Sequence, residues 1–284
     1  MNKNTKSEVQ KIIDNAIKED IGDGDHSSLA CIPEDAKGKA RLIIKEDGVL
    51  AGLEVAKQIL ETVDPKLEIK EYHKDGDILK KGDIVFEVHG NQRSILKAER
   101  LVLNTLQRMC AIATNTWKLN EKIEDTSTKI LDTRKTTPGI RLLEKMAVRI
   151  GGGVNHRFGL YDMIMLKDNH IDYAGSISNA IKHTKAYLEE QKKDLKIVVE
   201  ARNLDEVDEI LENEPVERIL LDNFTPENTR KAVSRINGKC DTESSGNISI
   251  DTASNYARCG VDYISSGALT HHVDNIDMSL KAFD

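Results

Sequence analysis

Several short apolar runs in this chain end on charged or small polar residues. In HRFGLYDMIMLKDNH (156–170), His156 and Arg157 open the stretch, and the run Met163-Ile164-Met165-Leu166 stops on Lys167. A structural lysine belongs on a solvated helix face, not at the end of a buried strand. The same ending recurs. KILDTRK (129–135) closes on Arg134 and Lys135, KIVVEAR (196–202) on Glu200 and Arg202, and RILLDN (218–223) on Asp222. CDTESS (240–245) ends with Glu243, Ser244 and Ser245, and DYISSG (262–267) with Ser265, Ser266 and Gly267. If these runs are parallel strands of one sheet, their ends converge. The pocket so formed would hold several cations, two or three carboxylates and two small-residue loops. That inventory suits a polyanionic ligand, because arginine binds carboxylate and phosphate bidentately. The loops 244–247 and 265–268 admit close approach of backbone N–H groups, and each lies just ahead of a helix or helix-like turn, where phosphate is favoured. Glu200 and Asp222 suit Mg²⁺, held mostly through its waters, or sugar hydroxyls.

The elements needed to position these groups are legible. Helices are expected at 139–150, 176–191, 203–213, 226–236 and 249–259, alternating with the six strands. Repeated β–α units imply parallel strands with helical crossovers, and parallel barrels gather chemistry at the C-terminal ends of their strands. No GxGxxG pattern is present, which disfavours a dinucleotide-binding unit. Closure into a barrel is the better reading, although six units fall short of the usual eight. The first half reads as mixed α+β: a helix at 7–20 capped by Ser7, strand pieces around Asp47-Gly48, a helix at 53–63, strands at 67–72 and 83–88, and a long helix at 94–124 with a bend expected near 111–114.

Composition narrows the class. The chain has 284 residues with net charge −7, which disfavours a general nucleic-acid binder and makes local cationic clusters more telling. The polar, amphipathic N-terminus lacks a signal-peptide core, and no run approaches the roughly 18 apolar residues of a membrane span. Cys31, Cys110, Cys240 and Cys259 show no CxxC spacing and read as reduced thiols of a cytoplasmic protein. Other features have plainer readings. Arg141, Lys145 and Arg149 would form a solvated or interface face. Gly151-Gly152-Gly153 is a flexible turn, and Asp20, Asp23 and Asp25 are turn and cap residues.

The stretches ILDTRKTTPGIR (130–141), GGGVNHRFGLYDMIMLKDNHI (151–171), VVEAR (198–202), ILLDNF (219–224), ESSGNIS (243–249) and ISSGALTH (264–271) resemble the quinolinate phosphoribosyltransferase family. IKEDIGDGD (17–25) and KAERLVLNTLQRMCAIAT (97–114) join in, so the resemblance covers nearly the whole chain in order. It implies an α/β fold with an N-terminal α/β sandwich domain (1–112) and an incomplete, about six-stranded α/β barrel (113–274), the tail 275–284 returning to the sandwich. It also implies a homodimer or a hexamer of dimers whose active sites are shared between subunits. Quinolinate would meet Arg134, His156, Arg157 and Lys167, with Arg100 entering from the partner subunit. Phosphoribosyl pyrophosphate would meet Lys135, Glu200 and Asp222, its 5′-phosphate resting on loops with Ser245, Gly246, Gly267 and His271. Lys135, Lys167, Glu200 and Asp222 would be the catalytic set, with Mg²⁺ at Glu200 and Asp222. His156 would add a donor whose charge varies with pH.

Three other readings compete. Another type II transferase, acting on nicotinate for example, would need fewer cations for a single carboxylate. A Schiff-base lyase would use Lys167 as its amine. The hairpin DGDILKKGDIVFEV (75–88) is similar to that of biotinyl and lipoyl carriers, with Lys80 or Lys81 as the modified residue. ILLDNFTPENT is superficially like the type I phosphoribosyltransferase loop, but Asn223 and Phe224 follow Asp222 where that loop has a second acid and a Gly-rich turn.

Overall fold

The computed structural model describes residues 1–284 and divides into two compact units. The first comprises Met1–Trp117, Thr136–Gly152 and Leu269–Asp284; the second comprises Lys118–Lys135 and Gly153–Ala268. In chain order the elements are α1 (Lys3–Ile21), α2 (His26–Cys31), β1 (Lys37–Ile44), β2 (Gly48–Val49), α3 (Leu53–Val63), β3 (Glu68–Glu71), β4 (Ile78–Leu79), β5 (Ile84–Asn91) and α4 (Gln92–Glu121). Then follow β6 (Lys129–Leu131), α5 (Arg141–Ile150), β7 (Ile164–Leu166), α6 (Asp168–Ala174), α7 (Ile177–Glu190), β8 (Ile197–Ala201) and α8 (Leu204–Glu212). The chain closes with β9 (Arg218–Asp222), α9 (Pro226–Ile236), β10 (Asp241–Ser245), α10 (Ala253–Ala257), β11 (Tyr263–Ser265), α11 (Ala268–His271) and β12 (Met278–Phe283).

The first unit is built on an antiparallel sheet of order β12-β1-β5-β3. β1 buries Ala40, Leu42 and Ile44 in alternation, the period-two signature of a sheet with one covered face. The tail pairs with β1 from Lys39↔Phe283 to Ile44↔Met278, and Arg41 lies 4.4 Å from the Phe283 ring centroid. α1 is capped by Asn2, which accepts from Thr5 N, so it begins before the expected Ser7. Asp25 caps α2 through Ser28 N, as read from its sequence context. The expected bend near 111–114 is where other backbone comes close to α4. Thr114 Oγ1 accepts from Val49 N at 2.9 Å, and a Cβ on Gly151 would sit 2.3 Å from the Ala113 carbonyl oxygen. Gly151 is thus a packing glycine, not merely part of a flexible turn. Lys80 is ion-paired with Asp47 at 2.9 Å.

One expectation for α5 fails. Lys145 is buried, at 3 % exposure, and its neighbour Glu144 is wholly buried. Glu144 accepts from Arg108 Nε (3.0 Å), Arg108 Nη2 (2.8 Å) and Thr137 N (3.0 Å). The cationic i, i+4 spacing reported charge but not the buried acids that can accept it, so this face is not the solvated one it resembled.

The second unit is a six-stranded, wholly parallel sheet of order β6-β11-β10-β9-β8-β7 with helical crossovers, the incomplete α/β barrel expected. Ile219, Leu221, Val199, Ala201, Ile130 and Ile264 are buried on the face opposite the charged residues. The polar sequence of β10, DTESS, made it look weak, yet it sits centrally and pairs along its full length with β9.

Candidate active site

Parallel register puts the strand ends side by side. Glu200 pairs with Leu220, Leu220 with Glu243, and Asp222 with Ser245. With side chains alternating along each strand, Glu200, Asp222, Glu243 and Ser245 therefore share one face. Lys167 directly follows β7, whose Leu166 pairs with Val199, and its Nζ lies 3.5 Å from Glu200 Oε2. Its backbone N–H donates to His170 Nδ1 at 3.0 Å, fixing the turn into α6. That helix was missed from the sequence. The three-residue spacing of Lys167 and His170, which resembles a helix N-terminal box, was the available signal.

Arg157 is placed by a segment running beside β6. Val154 bridges Leu131 in parallel, and the wholly buried Asp132 accepts from His156 N (2.8 Å) and Asn155 Nδ2 (2.5 Å). Asp132 was passed over in the sequence, where its burial cannot be seen. Asp162 closes the following turn by accepting from Phe158 N (2.6 Å) and Gly159 N (2.8 Å). Arg157 is 9 % exposed, with Nη1 donating to Met163 O at 3.2 Å. Burial, and then the nearby Arg134, push its guanidinium below the usual range, with Asp162 opposing. Two crowded cations with little water around one of them make a seat for an anion. His156 is also buried, its Nδ1 accepting from Arg157 N at 2.6 Å and its Nε2 lying 3.3 Å from Glu243 Oε2.

The small-residue loops are shaped by backbone. Gly246 has φ +95°, and Asn223 (φ +54°) and Asn247 (φ +53°) share the left-handed region. Asn223 N donates to Ser245 O at 2.9 Å, while its Oδ1 lies 2.2 Å from where a Gly246 Cβ would be. Ser266 N donates to Leu131 O at 3.1 Å, just ahead of Gly267. The expectation of a helix behind each loop needs correction. α10 has five residues and starts only at Ala253, and α11 has four. So few aligned peptides make a weak dipole, leaving phosphate binding here to local N–H groups and side chains.

Arg134, Lys135, His156, Arg157, Lys167, Glu200, Asp222, Ser245, Gly246 and Gly267 all fall in the second unit. Arg100 and His271 fall in the first: Arg100 is exposed on α4, and His271 is exposed with its ring 4.4 Å from that of His272.

Comparison with known proteins decides the family. Residues 25–110 match the family described as quinolinate phosphoribosyl transferase, N-terminal domain, and residues 112–281 match its C-terminal domain. The chain belongs to the quinolinate phosphoribosyltransferase family. A rice (Oryza sativa subsp. japonica) protein named nicotinate-nucleotide pyrophosphorylase [carboxylating], chloroplastic, is 46 % identical over 96 % of this chain and 77 % of its own length. A Bacillus subtilis protein named as a probable nicotinate-nucleotide pyrophosphorylase [carboxylating] is 38 % identical over 96 % of this chain and 93 % of its own. The crystal structure of NadC from Streptococcus pyogenes superposes with a TM-score of 0.92 at 40 % identity, covering 97 % of both chains.

For a member of the quinolinate phosphoribosyltransferase family, the metal question turns on Glu200 and Asp222. No group of three or more His, Cys, Asp or Glu side chains is arranged to hold a metal. Glu200 is 5 % exposed, and burial first, then Asp222 and Asp168, raise its carboxyl above the ordinary range against the pull of Lys167. Two mutually repelling carboxylates without a protein cage fit Mg²⁺ bound by one or two of them, with waters and substrate phosphates completing its shell. The same shift has a stability consequence. A folded-state value raised above the unfolded one stabilises the protein at low pH, and that contribution is lost as pH rises through the raised value. Glu200→Gln is therefore expected to raise the melting temperature at neutral pH while lowering turnover. The stability gain should shrink as pH falls into the ordinary carboxylate range. A variant less stable than wild type at neutral pH would contradict this account.

Proposed function

We propose that the protein transfers the phosphoribosyl group of phosphoribosyl pyrophosphate to quinolinate with decarboxylation, giving nicotinate mononucleotide, pyrophosphate and CO₂, a step of NAD biosynthesis. Family membership supports the reaction. The observation that carries the reading of the site is the set Arg134, Arg157 and Lys167 facing Glu200 and Asp222 at one end of six parallel strands. A pyridine with two carboxylates needs more than one fixed cation, and in a partly dry pocket each opposite-charge contact is stronger than in water. Arg134, Arg157 and Lys167 hold the dicarboxylate so that its ring nitrogen faces the anomeric carbon of the ribose. The new C–N bond forms as the C–O bond to pyrophosphate breaks. Lys135 neutralises the departing pyrophosphate, and Glu200 and Asp222 stabilise the oxocarbenium-like ribose, so positioning and electrostatics carry the catalysis. The C–CO₂ bond then breaks, its electrons are stabilised by the adjacent pyridinium, and the ring carbon takes a proton. Mg²⁺ at Glu200 and Asp222 would supply further charge neutralisation for the diphosphate.

Mixing the protein with phosphoribosyl pyrophosphate, Mg²⁺ and either quinolinate or nicotinate tests this. Quinolinate should be consumed and nicotinate left, and removing Mg²⁺ with EDTA should reduce the rate. Turnover of nicotinate alone would instead favour a salvage transferase.

The working form, on this reading, is a homodimer or a hexamer of dimers, with the exposed Arg100 completing the quinolinate site of the partner subunit. Mixing inactive Arg100→Ala and Lys135→Ala chains should then restore activity; no recovery after subunit exchange would place both residues in one chain's site. The proposed location is the cytoplasm, where four unpaired cysteines suit a reducing medium. No helix is long and apolar enough to cross a membrane.

A further inference from the structure

The interior of the parallel sheet holds an ionic cluster with no task in the reaction as written. Glu243, midway along β10, has no exposure, and its Oε2 accepts from Arg218 Nη1 at 2.8 Å. Arg218 is 7 % exposed, lies 3.9 Å from the Tyr263 ring centroid and comes within 3.9 Å of Asp241. By register, Arg218, Glu243 and Tyr263 share the face that carries Glu200 and Asp222. Parallel barrels ordinarily fill that interior with branched aliphatic side chains. A buried ion pair gives little net stability over an aliphatic replacement, so stability does not account for this one. Burial alone would raise the Glu243 carboxyl, but hydrogen bonds from His156, Ser265 and Arg218 outweigh it and hold the group ionised.

The cluster reaches the substrate pocket only through His156. Its Nδ1 accepts the Arg157 N–H at 2.6 Å and therefore carries no proton. The single proton of the neutral ring then sits on Nε2, 3.3 Å from the Glu243 carboxylate. Both ring nitrogens are engaged within the protein, which differs from the expected imidazole with a donor free for the ligand. We propose that Glu243, backed by Arg218, is a positioning residue for quinolinate recognition: it fixes His156 as the Nε2–H tautomer, and His156 Nδ1 in turn clamps the backbone N–H that orients Arg157. This inference rests on the assignment of Arg157 to the quinolinate site. The negative charge matters because a neutral amide at 243 can turn its NH₂ toward Nε2. The ring proton would then move to Nδ1, where it would oppose the Arg157 N–H.

Two measurements test it. With the wild-type full chain labelled at histidine ¹⁵N, and His156→Gln used to identify its signals, His156 should show the neutral Nε2–H pattern near neutral pH. An Nδ1–H or imidazolium pattern would overturn the proposal. In steady-state kinetics, Glu243→Gln and His156→Gln should each raise the quinolinate KM by about 10- to 100-fold, the scale expected for a misplaced binding group. The KM for phosphoribosyl pyrophosphate and kcat should change little, and the double variant should be no worse than the more affected single one. Additive losses, or a native quinolinate KM in Glu243→Gln, would also overturn it. Glu243→Asp, which keeps the charge, should recover part of the loss. The spectrum decides the tautomer even if Glu243→Gln fails to fold. A wild-type protein silent toward quinolinate would instead indict the assigned reaction, not the histidine's tautomer.

Discussion

Arg157→Ala is expected to lower kcat/KM for quinolinate by on the order of 10³-fold, while the KM for phosphoribosyl pyrophosphate stays nearly unchanged. Removing one partner of a desolvated charge pair costs about 4 kcal/mol, or close to three powers of ten. Arg157 meets the conditions for a cost of that size, being buried and aimed by contacts at both its backbone and its guanidinium. The unliganded protein should lose little stability, because burial and Arg134 already disfavour the charge that the variant removes. Thermal shift without ligand should therefore change little, whereas the stabilisation by added quinolinate should vanish. Arg157→Lys should fall between, since an ammonium keeps the charge but not the two-pronged geometry. Equal losses toward both substrates would reject the division of labour between the cation cluster and the carboxylates.

Much of this was legible before any coordinates. The six strands could be counted because each apolar run stopped at a charged or small residue, and helical spacing resumed behind each one. α3 at 53–63 and α9 at 226–236 fall where the periodicity put them. The candidate residues of the barrel were visible for the same reason: a strand end is a local feature, and parallel topology brings such ends together. What could not be read was burial of charge. Asp132, Arg218 and Glu243 look in sequence like other acids and bases beside strands. Only the packed sheet shows that they hold the 155–157 segment from beneath. Lys145 misled in the same direction, because its buried surroundings come from side chains far apart in the chain. The long helix hid another fact: its small residues make room for Gly151 and Val49, contacts that depend on segments many residues away.

Gly246→Ala tests the other half of the site, and its expected result is the mirror image of the arginine variant. The KM for phosphoribosyl pyrophosphate should rise by about 30-fold, equivalent to about 2 kcal/mol of strain and displacement, with quinolinate binding largely preserved. Two independent constraints act at this position. Its φ of +95° is strained for any residue with a Cβ, and the added methyl would lie 2.2 Å from Asn223 Oδ1 and 2.9 Å from Asn223 N. Asn223 cannot yield freely, because its N–H is bonded to Ser245 O and its Nδ2 donates to Asp222 Oδ2 at 2.7 Å. Relieving the clash would thus move Asp222 and the 245–247 backbone together, displacing a ribose-facing carboxylate and the phosphate-facing amides in one step. Replacing Asn223 with Gly in the Gly246→Ala background removes the clashing side chain. That double variant should recover part of the affinity if the steric contact dominates and none if the backbone strain does. A Gly246→Ala enzyme with native affinity for phosphoribosyl pyrophosphate would move the phosphate site away from this loop.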